Sequence, residues 1–177
     1  DMAPTMKLIA TTCFPRATQV VDRFHVQKLA SEALQQIRIS HRWDAIDQEN
    51  ESILQARKAS KEYVVEVLSN GDTRKQLLAR SRYLLYKSRD KWTAKQHERA
   101  KVLFAEYPEL KEAYELSEEL RKFFNTKNDK GIALTKLARW YDKVEKSGFK
   151  SFATIMNTIG LNYDGIVNYF ENRSTNA

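Results

Sequence analysis

The stretch TQVVDRFHVQKLASEALQQIR, residues 18–38, poses the fold question in miniature. Its two β-branched valines after Thr18 predict a short buried strand over TQVVDRF. From Phe24 the period changes. Phe24, Leu29, Ala33, Leu34 and Ile37 fall on one broad face, which predicts a helix reaching about Arg42. Asp22 sits where the two patterns meet. Its carboxylate fits the N-cap of a helix that begins at Arg23, where it can accept an amide proton and favours the positive helix end. His25, one turn further in, is placed to bond that carboxylate. An Asp and a His at this spacing also suit an active-site fragment, but a lone His makes a poor metal site, which needs several converging ligands.

Elsewhere the chain reads as helical. Gly (5) and Pro (3) are scarce among 177 residues, which disfavours a turn-rich sheet. PTMKLIATTCF (4–14) has its proline in a first helical turn, with Met6, Ile9, Ala10 and Phe14 as the apolar side. RWDAIDQENESILQARKAS is helix-like but mostly polar, and SNGD (69–72) is the clearest break. Thr93 predicts an N-cap for a helix to Tyr107. Pro108 opens a strong amphipathic helix to Phe124, NTKNDKG is a loop, and two more amphipathic segments follow, the last one bent near Gly160 or Asn162. One strand alone is not stable. The first twenty-five residues therefore suggest the edge of a sheet whose other strands are missing.

The charge is uneven. Residues 1–71 carry nine basic and nine acidic side chains, and residues 102–177 carry eleven of each. Residues 72–101 hold ten Lys/Arg against three acids, so the whole net +7 lies there. A local cationic excess is the electrostatic footprint of a polyanion partner, with nucleic acid the first candidate; a solvated helix face is the plain alternative. The candidate phosphate contacts are Arg74, Lys75, Arg80, Arg82, Lys87, Arg89, Lys91, Lys95, Arg99 and Lys101. Trp92 and Tyr86 could stack on bases, although core packing suits both. Glu106, Glu109, Glu112, Glu115 and Glu118 recur every third residue and suit a solvated face.

Cys13 is the single cysteine, which excludes a disulfide framework and a Cys-based zinc site and fits a reducing, cytoplasmic setting. No apolar run approaches the roughly 18 residues of a membrane span. There is no phosphate-binding glycine loop, no Gly-x-Ser-x-Gly elbow and no His-Glu-x-x-His, so these residues form no complete active site. The chain begins with Asp rather than Met, as expected of a piece of a longer protein.

The blocks DMAPTM, FPRATQVVDRFHV and RYLLYKSRDKWTAKQHERAKVLF, with YPELKEAYELSEELRKFF and IVNYFENRSTNA, resemble the transposases of the ISL-three insertion-sequence family. That family shows an Asp-Met-(Ser/Ala)-Pro segment, a Phe-Pro, a strand and Asp-Arg-Phe-His-Val, then a Leu-Leu…Leu-Thr-x-x-Gln region. The likeness covers essentially the whole chain.

The resemblance implies a DDE enzyme with a ribonuclease-H-like core, in which three carboxylates hold two Mg²⁺ or Mn²⁺ ions for DNA cleavage and strand transfer. Asp1 matches the second catalytic, metal-holding Asp, and Asp22 and His25 match the supporting Asp-x-x-His signature. The expected architecture is mainly α: a helical insertion attached to a short α/β remnant of one helix and one strand. Residues 1–25 would be the core remnant, 26–165 the insertion, and 166–177 a return toward the core. One carboxylate cannot clamp two metals, so the chain alone is expected to be inactive. The implied partners are transposon-end and target DNA, with a homo-oligomer also in view and no membrane. A non-catalytic helical module that binds protein or nucleic acid, RNA included, is the alternative.

Overall fold

The computed structural model of the chain describes residues 4–126 and 130–172. They form helices α1 (Pro4–Cys13), α2 (Arg23–Lys58), α3 (Arg74–Arg80), α4 (Arg82–Tyr86), α5 (Ala94–Glu106), α6 (Pro108–Asn125), α7 (Lys130–Ser147), α8 (Lys150–Leu161) and α9 (Tyr163–Asn172), with a single 3₁₀ turn at Arg89–Lys91. Two compact units divide the chain. The first is Asp1–Ala33 with Glu115–Ala177, and the second is Leu34–Tyr114.

No strand occurs among the described residues, which corrects the expected α/β remnant of a ribonuclease-H-like core. Residues 18–22 run without turn or bend, but no second strand lies beside them. Two of their backbone groups bond to a helix instead. The Val21 N–H donates to the Gly165 carbonyl (2.9 Å), and the Asn168 side-chain amide donates to the Gln19 carbonyl (3.1 Å). Val21 is buried. Gly165 permits the approach, because a Cβ there would lie 2.9 Å from Val21 Cγ2. Val21 thus gains a buried environment through α9, not through a sheet.

The first unit is built on apolar helix faces. Val26 and Ala30 of α2, Leu120, Phe123 and Phe124 of α6, Leu137, Trp140 and Val144 of α7, Phe152, Ile155 and Ile159 of α8, and Ile166, Val167 and Phe170 of α9 are buried. Edge-to-face rings tie α6 to α9: Phe123 and Phe170 are 4.8 Å apart, and Phe124 and Tyr169 are 5.7 Å apart. The Trp140 indole donates to the Leu116 carbonyl (3.0 Å), so its polar edge is satisfied inside the core. The last segment breaks at Asn162, whose side chain donates to the Thr158 carbonyl (2.9 Å). α1 departs from expectation, since Met6, Ile9 and Phe14 of its predicted apolar side are exposed.

The second unit holds most of α2 and is more polar in its bonding. α2 does not stop near Arg42 but continues to Lys58, 36 residues in all, because no Gly or Pro interrupts residues 43–58. It ends with Ser60 at φ 54, the Ser60 N–H donating to Arg57 and the Lys61 N–H to Ala56, a Schellman pair built on a non-glycine residue. Residues 61–68 then run without helix, turn or bend, and the amides of Glu62–Val67 have no hydrogen bond among the described residues. Thr73 and Thr93 each make a full capping box, with Gln76 and Gln96 as partners, and start α3 and α5. Leu77, Leu78, Leu84, Leu85, Leu103, Leu110 and Tyr114 fill the interior.

Candidate nucleic-acid interface

The basic segment gives the second unit both buried leucines and surface cations, and its cations fall into two sets. One set is engaged within the unit. Asp72, almost completely buried, holds both Arg80 and Arg99 Nε (3.3 Å from Oδ2). The Asn70 side chain adds a donor to the same carboxylate (3.0 Å). Arg74 pairs with Glu66 and with Glu106 (3.2 Å), and Lys75 pairs with Glu49 (2.8 Å). Partial burial pulls the Arg74 pKa down, but the bonds to Glu66 and Glu106 outweigh it and the net shift is upward. These four side chains bind the irregular segment 61–72 and α5 to α2 and α3.

The other set faces solvent. Arg82, Lys87, Lys91, Lys95 and Lys101 are exposed, and none has an ion pair among the described residues. Arg89 is exposed beside them, its guanidinium 5.9 Å from the Trp92 ring centre. Behind this surface lies Arg38, buried without a carboxylate. Its Nε donates to Gln35 Oε1 (2.6 Å) and its terminal nitrogen to the Leu78 carbonyl (2.9 Å). Burial first, and then the positive charges of Arg82 and Arg42, lower its pKa.

The aromatic candidates separate in the same way. Trp92 is core: its indole donates to the Leu84 carbonyl (2.7 Å) and its ring meets those of Tyr114 and His97, each 5.2 Å away. Tyr86 is exposed, and so is Tyr83, whose ring lies 5.6 Å from the Arg82 guanidinium.

Asp22 takes the cap position. The Phe24 N–H donates to Asp22 Oδ1 (2.9 Å), and His25 Nδ1 lies 3.7 Å from Oδ2. Asp1 lies outside the described residues. Among the described residues no three His, Cys, Asp or Glu side chains converge, so Asp22 and His25 do not make a metal site on their own. No described helix is long and apolar enough to cross a membrane.

A second row of cations is hidden from a charge sum, because residues 102–177 total zero. Lys136, Arg139, Lys143 and Lys146 of α7 are all exposed. Their spacing of three or four residues, readable in the sequence at helical period, places them on one face.

No curated protein and no solved structure matches the chain. The model of a DDE-type, ISL-three family, described as "Transposase", matches residues 1–177. A long helical chain with one strongly cationic segment and a match along its full sequence belongs to the ISL-three family of DDE transposases.

Proposed function

We propose that this chain grips transposon DNA through the exposed cations of its second unit, in an enzyme that cleaves and joins DNA. The supporting observation is the division of the basic segment. After Arg74, Lys75, Arg80 and Arg99 are engaged by carboxylates, Arg82, Lys87, Lys91, Lys95 and Lys101 still face solvent. Cations that neutralise phosphates release counterions, which makes affinity fall with salt. A DNA partner keeps the cytoplasmic setting part of the proposal.

The test is duplex binding over a salt series. Replacing Arg82, Lys87, Lys91, Lys95 and Lys101 together by Gln should lower the slope of log affinity against log salt by about 0.9 for each phosphate left unneutralised. An unchanged slope in a folded variant would sink the assignment. Preference for RNA over duplex DNA at equal charge would favour the RNA-binding alternative.

For the chemistry we propose Asp1 as a metal-holding carboxylate, with Asp22 and His25 orienting the segment behind it. Mg²⁺ or Mn²⁺ supplies charge stabilisation in phosphoryl transfer when bound. The described residues hold no cluster for it, so no step is assigned to them. Asp1→Ala in an active transposase should abolish strand transfer while leaving the salt slope of DNA binding intact.

A further inference from the structure

We infer that the cleft between α6 and α7, in the first unit, is a second contact for the phosphate backbone of the same DNA. The inference rests on the reading of the chain as a DNA-handling protein, and it concerns a surface that the basic segment does not include. Lys122 of α6 and Lys136, Arg139 and Lys143 of α7 line a cleft of about 350 Å³. Its floor is apolar, made by Leu120, Phe123 and Trp140. Lys146 continues the α7 row beyond the cleft.

Three features separate this surface from an ordinary solvated helix face. The first is sign. Asp142 and Glu145 of α7 do not line the cleft, and Glu119, the acid that lines it among the described residues, is held by Lys143 at 2.5 Å. The second is shape. Cations on the rim of a concave, low-dielectric surface reinforce one another's field, which raises the local concentration of a polyanion. The third is reach. Lys136 to Lys146 spans ten residues, roughly 15 Å of helix, and successive phosphates of one strand advance about 3.4 Å along the duplex. The row therefore matches about four phosphates. It touches them without reading bases, since Trp140 is buried and its indole N–H is already bonded to Leu116.

The experiment compares two variants of the full chain in the same salt titration. Lys122, Lys136, Arg139 and Lys146 are changed to Gln in one, and the five exposed cations of the second unit in the other. The α6–α7 variant should lose up to about 3.6 units of slope, about 0.9 for each phosphate left unneutralised. Additive losses in the combined variant would place the two surfaces on one bound duplex. If the second-unit variant loses slope and the α6–α7 variant keeps it, the cleft does not touch DNA and the proposed function stands. If the unsubstituted chain binds DNA without salt dependence, both readings fail. Should the fourfold variant lose its helical circular dichroism, the exposed pair Arg139→Gln and Lys146→Gln replaces it, with a loss of about two units expected. Retention of the slope there overturns the inference. A slope that changes equally with polyglutamate in place of DNA assigns the cleft to an acidic protein segment and overturns it as well.

Discussion

The two units of this chain solve the same problem, packing helices, with different materials. The first is held by rings and aliphatic side chains spread over α6–α9, among them Phe123, Trp140, Phe152 and Phe170. The second is pinned by a few polar groups between elements distant in sequence, above all Asp72 with Arg80 and Arg99. The contrast bears on how each unit uses its cations. In the second unit much of the local positive excess is committed to architecture. In the first, the core is built from apolar groups, and the zero charge sum of residues 102–177 hides a row of exposed cations on α7.

Substitutions can break this contrast, beginning with the largest effect. Phe152 is fully buried, and Phe152→Ala should cost about 4 kcal/mol of stability in urea unfolding. Hydrogen exchange should show the loss in α7–α9. A uniform loss across α3–α5 as well would mean the two units unfold as one. Asp72→Ala removes the buried carboxylate that Arg80, Arg99 and Asn70 share and should cost about 2 kcal/mol. Asp72→Asn should recover only a small part, because the amide keeps a hydrogen bond but not the charge. Full recovery by Asn would show that the pin is neutral hydrogen bonding.

Gly165→Ala probes the docked segment that replaces the expected strand. The added methyl would press on Val21 Cγ2, and after the gain in helix propensity the net loss should be about 1 kcal/mol. In a Val21→Ala background the same change should cost nothing. A cost that persists there would place the strain in α9 itself.

The smallest effect concerns Tyr141, whose hydroxyl is buried with no hydrogen-bond partner among the described residues. Burial, and then nearby Tyr163, push its pKa up to about 12 from 10.0. The folded chain thus keeps the phenolic proton longer than the unfolded chain. The resulting stability is level below pH 10 and falls between pH 10 and 12. Tyr141→Phe should leave neutral stability within about 0.5 kcal/mol and flatten that alkaline decline. An unchanged decline would assign it to another group.

Local signals are legible in the sequence, and long-range ones are not. Thr93, Pro108, the break at residues 69–72 and the Asp22 cap each depend on neighbours within four residues, and the structure has them where spacing predicts. The valines mislead because a β-branched pair reports a wish for burial, not the partner that supplies it; the partner, Gly165, lies 144 residues beyond Val21. The reach of α2 is hard to judge because a polar face reads as weak helix, although no breaker follows Arg42. Which cations are engaged is equally hidden. Lys75 finds Glu49 and Arg99 finds Asp72 across 26 and 27 residues, pairings that a running charge sum cannot register.

The stretch Lys61–Leu68 has a practical consequence. A protease needs several consecutive residues it can straighten and whose amide groups it can bond, and Glu62–Val67 provide them without prior unfolding. Val64, 82% exposed, stands at its centre. The chain should therefore be nicked there first, well before any helix is cut, giving two pieces whose new ends lie between α2 and α3. The same place is where a foreign peptide could be spliced in with least disturbance.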